Sequence, residues 1–372
     1  MVSLGAAIFL AMPLSLGSWT GLYLWTSPFL FINTALARQA FVVMNILAVL
    51  VLAIALARNR WYCRWLCPTG VLCDTVSKKR KPGIRLNRIP EFNKMLVVAG
   101  LAIALLGVPL LNLLDPINIF HAFIDAFRRQ PADVIVLKLS GFLLVVTMNF
   151  ALPHIWCGKL CPLGGLQDML TSFKRLITKK EIMTSPFLAS RRLVLGALTG
   201  VGLGLVVRKA SGSKSKEYIR PPGALPEEQL KTACLRCGNC GKACPTDIIH
   251  YSLDTSDLMG MLTPHMEFDL GYCLPGCIVC GTVCSSGAIK RFTRADKKEL
   301  KVGVAIIQPE GCLLSKHKEC DLCRRYCEYD AVVIRSSSSD ISAWPEIITD
   351  RCVGCGACMV VCPPSVIEIL PV

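Results

Sequence analysis

Cys352-Val353-Gly354-Cys355-Gly356-Ala357-Cys358-Met359-Val360-Val361-Cys362-Pro363 stands near the end of the chain. Three thiols are separated by two residues each, and a fourth follows three residues later, just before a proline. That spacing wraps three corners of an iron–sulfur cubane, and the turn before proline frees the fourth thiol to reach a neighbouring cluster. A zinc site would instead need two separated pairs of ligands.

Working back along the chain, Cys234, Cys237, Cys240 and Cys244 before Pro245 repeat the pattern, which is the bacterial ferredoxin spacing. Between the two lie Cys273, Cys277, Cys280 and Cys284, with one extra residue in the first gap, and Cys312, Cys320, Cys323 and Cys327, with a seven-residue first gap. Both keep the Cys-x-x-Cys-x-x-x-Cys ending, so the longer gaps are expected to form loops. Sixteen cysteines in four groups predict four [4Fe–4S] clusters in an α+β domain of two ferredoxin-like units over 226–372. A secreted disulfide scaffold is normally short, and these runs are too tight for most bridges.

The chain has 372 residues, 53% of them hydrophobic, and its two parts differ in charge. Up to Ser215 there are 24 Lys/Arg against 7 Asp/Glu, and from Lys216 onward 17 against 19. The excess lies between hydrophobic stretches, which reports membrane topology and not a nucleic-acid face. Apolar stretches near 4–25, 40–57, 95–114 and 133–152 are each long enough to cross about 30 Å of hydrocarbon. The loops Arg58 to Lys94 and His154 to Arg192 hold ten and seven Lys/Arg. They are expected on the cytoplasmic side, with Asp115 to Arg129 outside.

A shorter apolar segment, Leu193 to Val207, follows Ser190-Arg191-Arg192, which resembles a twin-arginine export signal. The alternative is an ordinary inside anchor. Either way the ferredoxin part is expected on the outer, periplasmic face of a cytoplasmic membrane. The expected organisation is a membrane domain over 1–190, an anchor helix over 191–207, a Ser/Lys/Gly/Pro-rich linker over 208–225 and the ferredoxin domain.

Trp61-Tyr62-Cys63-Arg64-Trp65-Leu66-Cys67-Pro68-Thr69-Gly70 aligns with Ile155-Trp156-Cys157-Gly158-Lys159-Leu160-Cys161-Pro162-Leu163-Gly164 at an offset of 94, continuing through Leu72/Leu166 and Asp74/Asp168. Two helical hairpins, each ending in Cys-x-x-x-Cys-Pro, would pack as a four-helix membrane core, with the anchor as a fifth helix. Cys63, Cys67, Cys157 and Cys161 then face one another as ligands of a further iron–sulfur centre, as a dithiol pair, or as small packing residues. Cys73, with Gln167 at its repeat position, reads as a structural cysteine.

Over about 190–372, the four groups and the twin-arginine segment resemble the NapG-type polyferredoxin subunit of the periplasmic nitrate reductase quinol dehydrogenase. The paired Cys-x-x-x-Cys-Pro elements resemble its NapH-type membrane subunit, and also membrane ferredoxins of nitrous oxide reductase and oxidase assembly. This chain departs from NapH in having no ferredoxin group between Cys161 and the fifth segment. In related subunits of molybdenum reductases the first group pairs with the last and the second with the third. That resemblance implies that Cys362 completes the cluster of Cys234, Cys237 and Cys240, that Cys244 completes that of Cys352, Cys355 and Cys358, and that Cys284 and Cys327 swap.

The function implied is a membrane quinol dehydrogenase that passes electrons from quinol through the clusters to a partner redox protein, a cytochrome or reductase subunit. Two other readings stand beside it: a maturation factor reducing a metal or cofactor, and a relay-only docking subunit. Ionisable residues beside spans are candidates for taking quinol protons. His121 and Asp125 lie four apart on Ile117 to Arg129, a stretch with Phe120, Phe123 and Phe127 that reads as an interfacial helix. They are proton acceptors or a solvated i,i+4 pair. His154 is a second candidate. The expected topology leaves the membrane cysteines and the ferredoxin on opposite faces; either the cysteine elements dip into the membrane core, or quinol is oxidised near the outer face and feeds the ferredoxin directly, or the fifth segment does not cross and the ferredoxin is cytoplasmic.

Overall fold

The computed structural model describes residues 21–38, 46–77, 90–128, 130–177, 191–211, 217–251, 253–254, 256–257, 259–269, 271–336 and 343–372. The first expected span falls mostly outside them.

A helical bundle comes first. Helices α1 (Leu22–Trp25) and α2 (Pro28–Arg38) are divided at Thr26-Ser27, and α3 (Ile46–Ala57) follows. A short α4 (Trp61–Trp65) leads into α5 (Pro68–Ser77), then α6 (Asn93–Leu105). The expected span 95–114 breaks here: Gly107 takes φ +83°, Pro109 follows, and Leu110–Leu114 tightens into a 3₁₀ turn. Asp115 caps α7 (Pro116–Asp125), its carboxylate accepting from the Ile117 N–H with proline at the first helical position. Next come α8 (Ala132–Ala151), a widened turn at Trp156–Leu160, α9 (Pro162–Ile177) and α10 (Arg191–Ser211).

Among the described residues one helix, Ala132–Ala151, is long and apolar enough to cross a membrane, at 20 residues and mean hydropathy 2.0. At 1.5 Å per residue it spans about 30 Å, whereas α3 and α6, at 12 and 13 residues, span about 20 Å. Four equal spans are therefore not what these residues build. The segment expected over 193–207 is a 21-residue helix that includes Arg191 and Arg192. It lies flat on α6 through Gly196, Gly200 and Gly204, and a Cβ at Gly200 would stand 2.6 Å from the Ala99 carbonyl oxygen.

The C-terminal part is two ferredoxin-like units. In the second unit a strand precedes each cysteine group and another follows it, and in the first the two outer places are taken by single bridging residues. Strand β1 (Ile249–Tyr251) pairs antiparallel with β2 (Pro264–Met266), and Ala224 bridges Ile289. In the second unit, β3 (Gly303–Ile307) pairs with β6 (Ile367–Pro371), and β4 (Val332–Ser336) with β5 (Ala343–Ile347). The strand positions Ile249, Ile289, Val332 and Ile367 each lie five residues after a group's fourth cysteine. Short helices α12 (Asn239–Ala243), α13 (Val279–Val283), α14 (Leu322–Arg325) and α15 (Ala357–Val360) each carry a group's third cysteine; α11 (Glu227–Ala233) precedes the first group.

Folded structure starts before Pro226. The Ile219 carbonyl accepts from the Met266 N–H at 2.7 Å, and Arg220 clasps Glu227 through two nitrogens at 2.8 and 2.5 Å. The expected linker is thus part helix, over 208–211, and part ferredoxin unit.

Candidate iron–sulfur sites and their junction with the bundle

The backbone repeats at each cysteine group. The third residue after the fourth cysteine has positive φ in all four: Asp247, Gly287, Asp330 and Ser365. In the first and last groups, positive φ recurs two and four residues after the first cysteine, at Arg236 and Gly238 and at Gly354 and Gly356. These kinks turn successive thiols toward one point. Among the described residues no three His, Cys, Asp or Glu side chains close on a single-ion site. The cysteines instead line apolar, partly open pockets.

The first pocket, about 380 Å³, is bounded by Cys234, Cys237 and Cys240 with Cys284. A second, about 340 Å³, is bounded by Cys352, Cys355 and Cys358 with Cys327. A third, also about 340 Å³, is bounded by Cys312, Cys320 and Cys323 with Cys362. Cys244 bears on Cys273 and Cys280 of the second group, raising both thiols further after burial has pushed them up. Groups one and two therefore exchange their fourth cysteines, as do three and four. This corrects the first-with-last pairing that the resemblance implied: each unit's strand pairing brings consecutive groups together. The four places are sites I to IV, numbered by group.

The donors suit cubanes. Burial raises Cys237 and Cys358 to about 12 and Cys323 and Cys355 to about 11, so these thiols need a cationic cluster to ionise them. Backbone N–H groups of Arg236, Ile289, Ala331 and Ala305 point at the sulfurs of Cys234, Cys284, Cys327 and Cys352 at 3.3 to 3.5 Å, the contacts that tune such centres. The long first gap of group three folds into a 3₁₀ turn, Leu314–Lys316, and that of group two is fastened by Lys297, whose Nζ donates to the Leu274 and Cys277 carbonyls. The Cys273 N–H donates to the Cys355 carbonyl at 2.9 Å, which joins site II to site IV. The sites are thus ordered I, II, IV, III.

In the bundle, the two Cys-x-x-x-Cys-Pro elements are related by a pseudo-twofold. Cys67 N–H reaches the Tyr62 carbonyl and Cys161 N–H the Trp156 carbonyl, both five residues back, at 2.9 and 2.7 Å. Gly70 and Gly164 N–H groups face the sulfurs of Cys67 and Cys161 at 3.3 and 3.4 Å. Each element also reaches across to its copy. Arg60 makes two bonds to Asp168, and its repeat position, His154, faces Asp74, the repeat position of Asp168. Gln167 donates to the Cys63 sulfur at 3.1 Å, while Cys73 hydrogen-bonds Cys157. Cys73, expected to be structural only, thus touches the set. Burial raises the Cys63 thiol to about 12, with Cys157 adding to the effect.

The turn of the first element dips onto α7. Thr69 Oγ1 donates to the Pro116 carbonyl at 2.8 Å, so the Cys67-Pro68 turn lies against the start of α7. Two residues along that helix, Asn118 donates to the Leu235 carbonyl at 2.9 Å, inside the first ferredoxin group. Leu235 and Cys237 belong to the same apolar core as Tyr62, Cys67, Ile117 and Phe120. Site I is therefore seated on α7, about one helical turn from the bundle cysteines' turn.

His121 and Asp125 are buried, 1% and 0% exposed, because the ferredoxin covers them. This corrects the expected surface helix. The Asn239 amide faces the His121 ring, and Asp125 Oδ1 has no hydrogen-bond partner among the described residues. Burial holds the His121 imidazole well below its ordinary pKa, hence neutral. His154 is not part of this group; its side chain is 43% exposed, some 16 residues along from Lys138.

Residues 40–86 and 135–180 each match the 4Fe-4S binding domain family, so the two bundle elements are recognised as copies of one unit; 345–368 match a further 4Fe-4S binding domain. The methylamine utilization ferredoxin-type protein MauM of Methylophilus methylotrophus is 33% identical over 186 residues, 48% of this chain and 81% of that protein. The ferredoxin-type protein NapG of Escherichia coli is 31% identical over 186 residues, 47% and 80%. The chain belongs to the MauM/NapG ferredoxin-type family. Within the wider ferredoxin-type group, NapF of Escherichia coli is 32% identical over 180 residues, 48% of this chain and 93% of that protein. No solved structure matches the chain. As a MauM/NapG-type protein it has an iron–sulfur electron-transfer role.

Proposed function

We propose that this chain is a membrane-anchored quinol dehydrogenase component that receives electrons beside α7 and sends them outward through sites I, II, IV and III to a partner redox protein. The observation that carries the reading is the seating of site I on His121, Asn118 and Asp125. A neutral imidazole facing the Asn239 amide, with a carboxylate oxygen four residues along the helix, all buried beside aromatic rings, offers the polar groups that a molecule with an apolar body and hydroxyl groups would engage. Phe120, Phe123 and Phe142 supply the rings.

When bound, the iron–sulfur groups supply one-electron exchange. The protein residues do the rest: Asn239 and His121 orient the quinol hydroxyl, and the His121 nitrogen and Asp125 take up its protons. Leu235 and the α7 core keep water out. Membrane residence is supported by outward apolar side chains on the bundle, including Ile46, Leu50, Val136, Leu144, Phe150 and Leu198, each more than half exposed. Delivery of the ferredoxin to the outer face is the reading favoured by the basic loops. Cys63, Cys67, Cys157 and Cys161 would hold a further iron–sulfur centre at the dipped turn, one step from site I.

Full-length protein, purified anaerobically, is expected to contain at least sixteen irons with matching sulfide, rising toward twenty if the bundle set is filled. A quinol analogue is expected to bleach the cluster absorbance. Intact clusters that dithionite reduces and quinol does not would overturn the dehydrogenase reading.

A further inference from the structure

Lys138 sits on the one long apolar helix, yet its ammonium is turned into the junction with the ferredoxin. Nζ donates to Asp125 Oδ2 at 2.5 Å and to Gln130 Oε1 at 3.0 Å, and the two charged side chains are 1% and 0% exposed. Gln130 Nε2 donates to the same carboxylate oxygen at 3.2 Å, leaving Oδ1 without a partner. Burying such a pair is costly, and similar volumes of apolar side chain would hold the helices together at least as well. Its position points to an electrostatic use.

Both charges face site I. The Asp125 carboxylate lies directly against Gly238, in the loop between Cys237 and Cys240. Lys138 Nζ stands 3.8 Å from the centre of the Tyr251 ring, and the Tyr251 hydroxyl donates to the Gly238 carbonyl at 3.2 Å and lies 3.8 Å from the Cys240 sulfur. Two other cations border the loop. Lys242 donates to the His121 carbonyl at 3.3 Å, and Arg128 bonds the Ile249 carbonyl and Asp247 at 2.6 and 2.8 Å. Asp125 is the buried anion among them.

We propose that the Lys138–Asp125 pair sets the reduction potential of site I, the lysine favouring the reduced state and the aspartate opposing it. The inference rests on the iron–sulfur reading of site I and deepens it. An electron placed on site I is attracted by the ammonium and repelled by the carboxylate. Removing either partner leaves the other uncompensated in a buried setting, where a charge within about 10 Å shifts an equilibrium by about tenfold or more. Sites III and IV, remote from α8, are untouched by this pair.

The test is a redox titration of the cluster-loaded full chain in detergent, followed by electron paramagnetic resonance, on wild type, Lys138→Met, Asp125→Asn and the double variant. Lys138→Met is expected to make one centre about tenfold harder to reduce, a fall of about 59 mV for a one-electron couple. Asp125→Asn is expected to move the same centre the opposite way, and the double variant to return it near wild type. Lys138→Arg, which keeps the charge, should hold all centres in place. Two singles that shift a centre in the same direction, or leave every centre unmoved, would overturn the proposal, as would a common shift of all centres. An iron count short of four sites in wild type would overturn the cluster reading itself, and the proposal with it.

Discussion

Gly238→Ala is expected to lift site I off the bundle while leaving its thiols intact. Gly238 has φ +80°, a conformation that costs an L-residue about 1–2 kcal/mol, and the new methyl would overlap the Asp125 carboxylate. Overpacking of a well-filled place adds about 1–3 kcal/mol. The φ cost falls on the loop itself, docked or not, so the overlap, about 1–3 kcal/mol, is what bears on the docked arrangement, because that obstacle belongs to α7. At 1.4 kcal/mol per factor of ten, the docked population falls roughly fivefold to a hundredfold. The assay is stopped-flow bleaching of the clusters by a quinol analogue, with dithionite reduction as the measure of cluster content. Gly356→Ala is the matched control: it holds the equivalent place in the last group, with φ +84°, but its methyl would meet the Phe268 ring within the ferredoxin part. Gly238→Ala should slow quinol bleaching far more than Gly356→Ala at equal iron content. Equal slowing by the two would refute the docking argument.

Two further outcomes follow from the same contacts. Burial raises the Asp115 carboxyl to about 6 despite its bonds from Ser27 at 2.8 Å and Ile117 N–H at 2.9 Å, so the folded state binds its proton more tightly than the unfolded chain does. Stability should therefore fall by roughly 3 kcal/mol as pH rises from about 4 to 6 and then level off; Asp115→Asn should flatten that slope in thermal melts in detergent. Cys284→Ala should damage site I and Cys244→Ala site II, as read by Mössbauer and paramagnetic resonance spectra of the remaining centres. Loss of the Cys352 site in the Cys244 variant would restore the first-with-last pairing.

The cysteine groups were legible as iron–sulfur motifs because cluster spacing is local: three thiols two residues apart need no knowledge of the rest of the fold. Which group receives each fourth cysteine was not, because it depends on β3 finding β6 across some sixty residues, and on β1 finding β2 instead of a strand of the other unit. The repeat at offset 94 foretold the paired turns, but not the crossing of Arg60 to Asp168 with His154 to Asp74, because Arg60 and His154 are unlike and stand just before the aligned stretch. It did not show that Cys73 meets Cys157, since Gln167 at the matching place looked unrelated. His121 and Asp125 carried a surface pattern because their cover, Leu235 to Lys242, lies more than a hundred residues downstream. The expected span 95–114 breaks where an apolar window takes no notice, at Gly107 and Pro109.

The order of the sites is tested most directly by removing the two ends of the path in turn. In Cys237→Ala, which breaks site I, quinol should reduce none of the remaining clusters although dithionite reduces them all. In Cys320→Ala, which breaks site III, quinol should still reduce the other three. Reduction of the remaining clusters by quinol at the wild-type rate in Cys237→Ala would contradict the account, because electrons would then be reaching the ferredoxin without passing the site seated on α7.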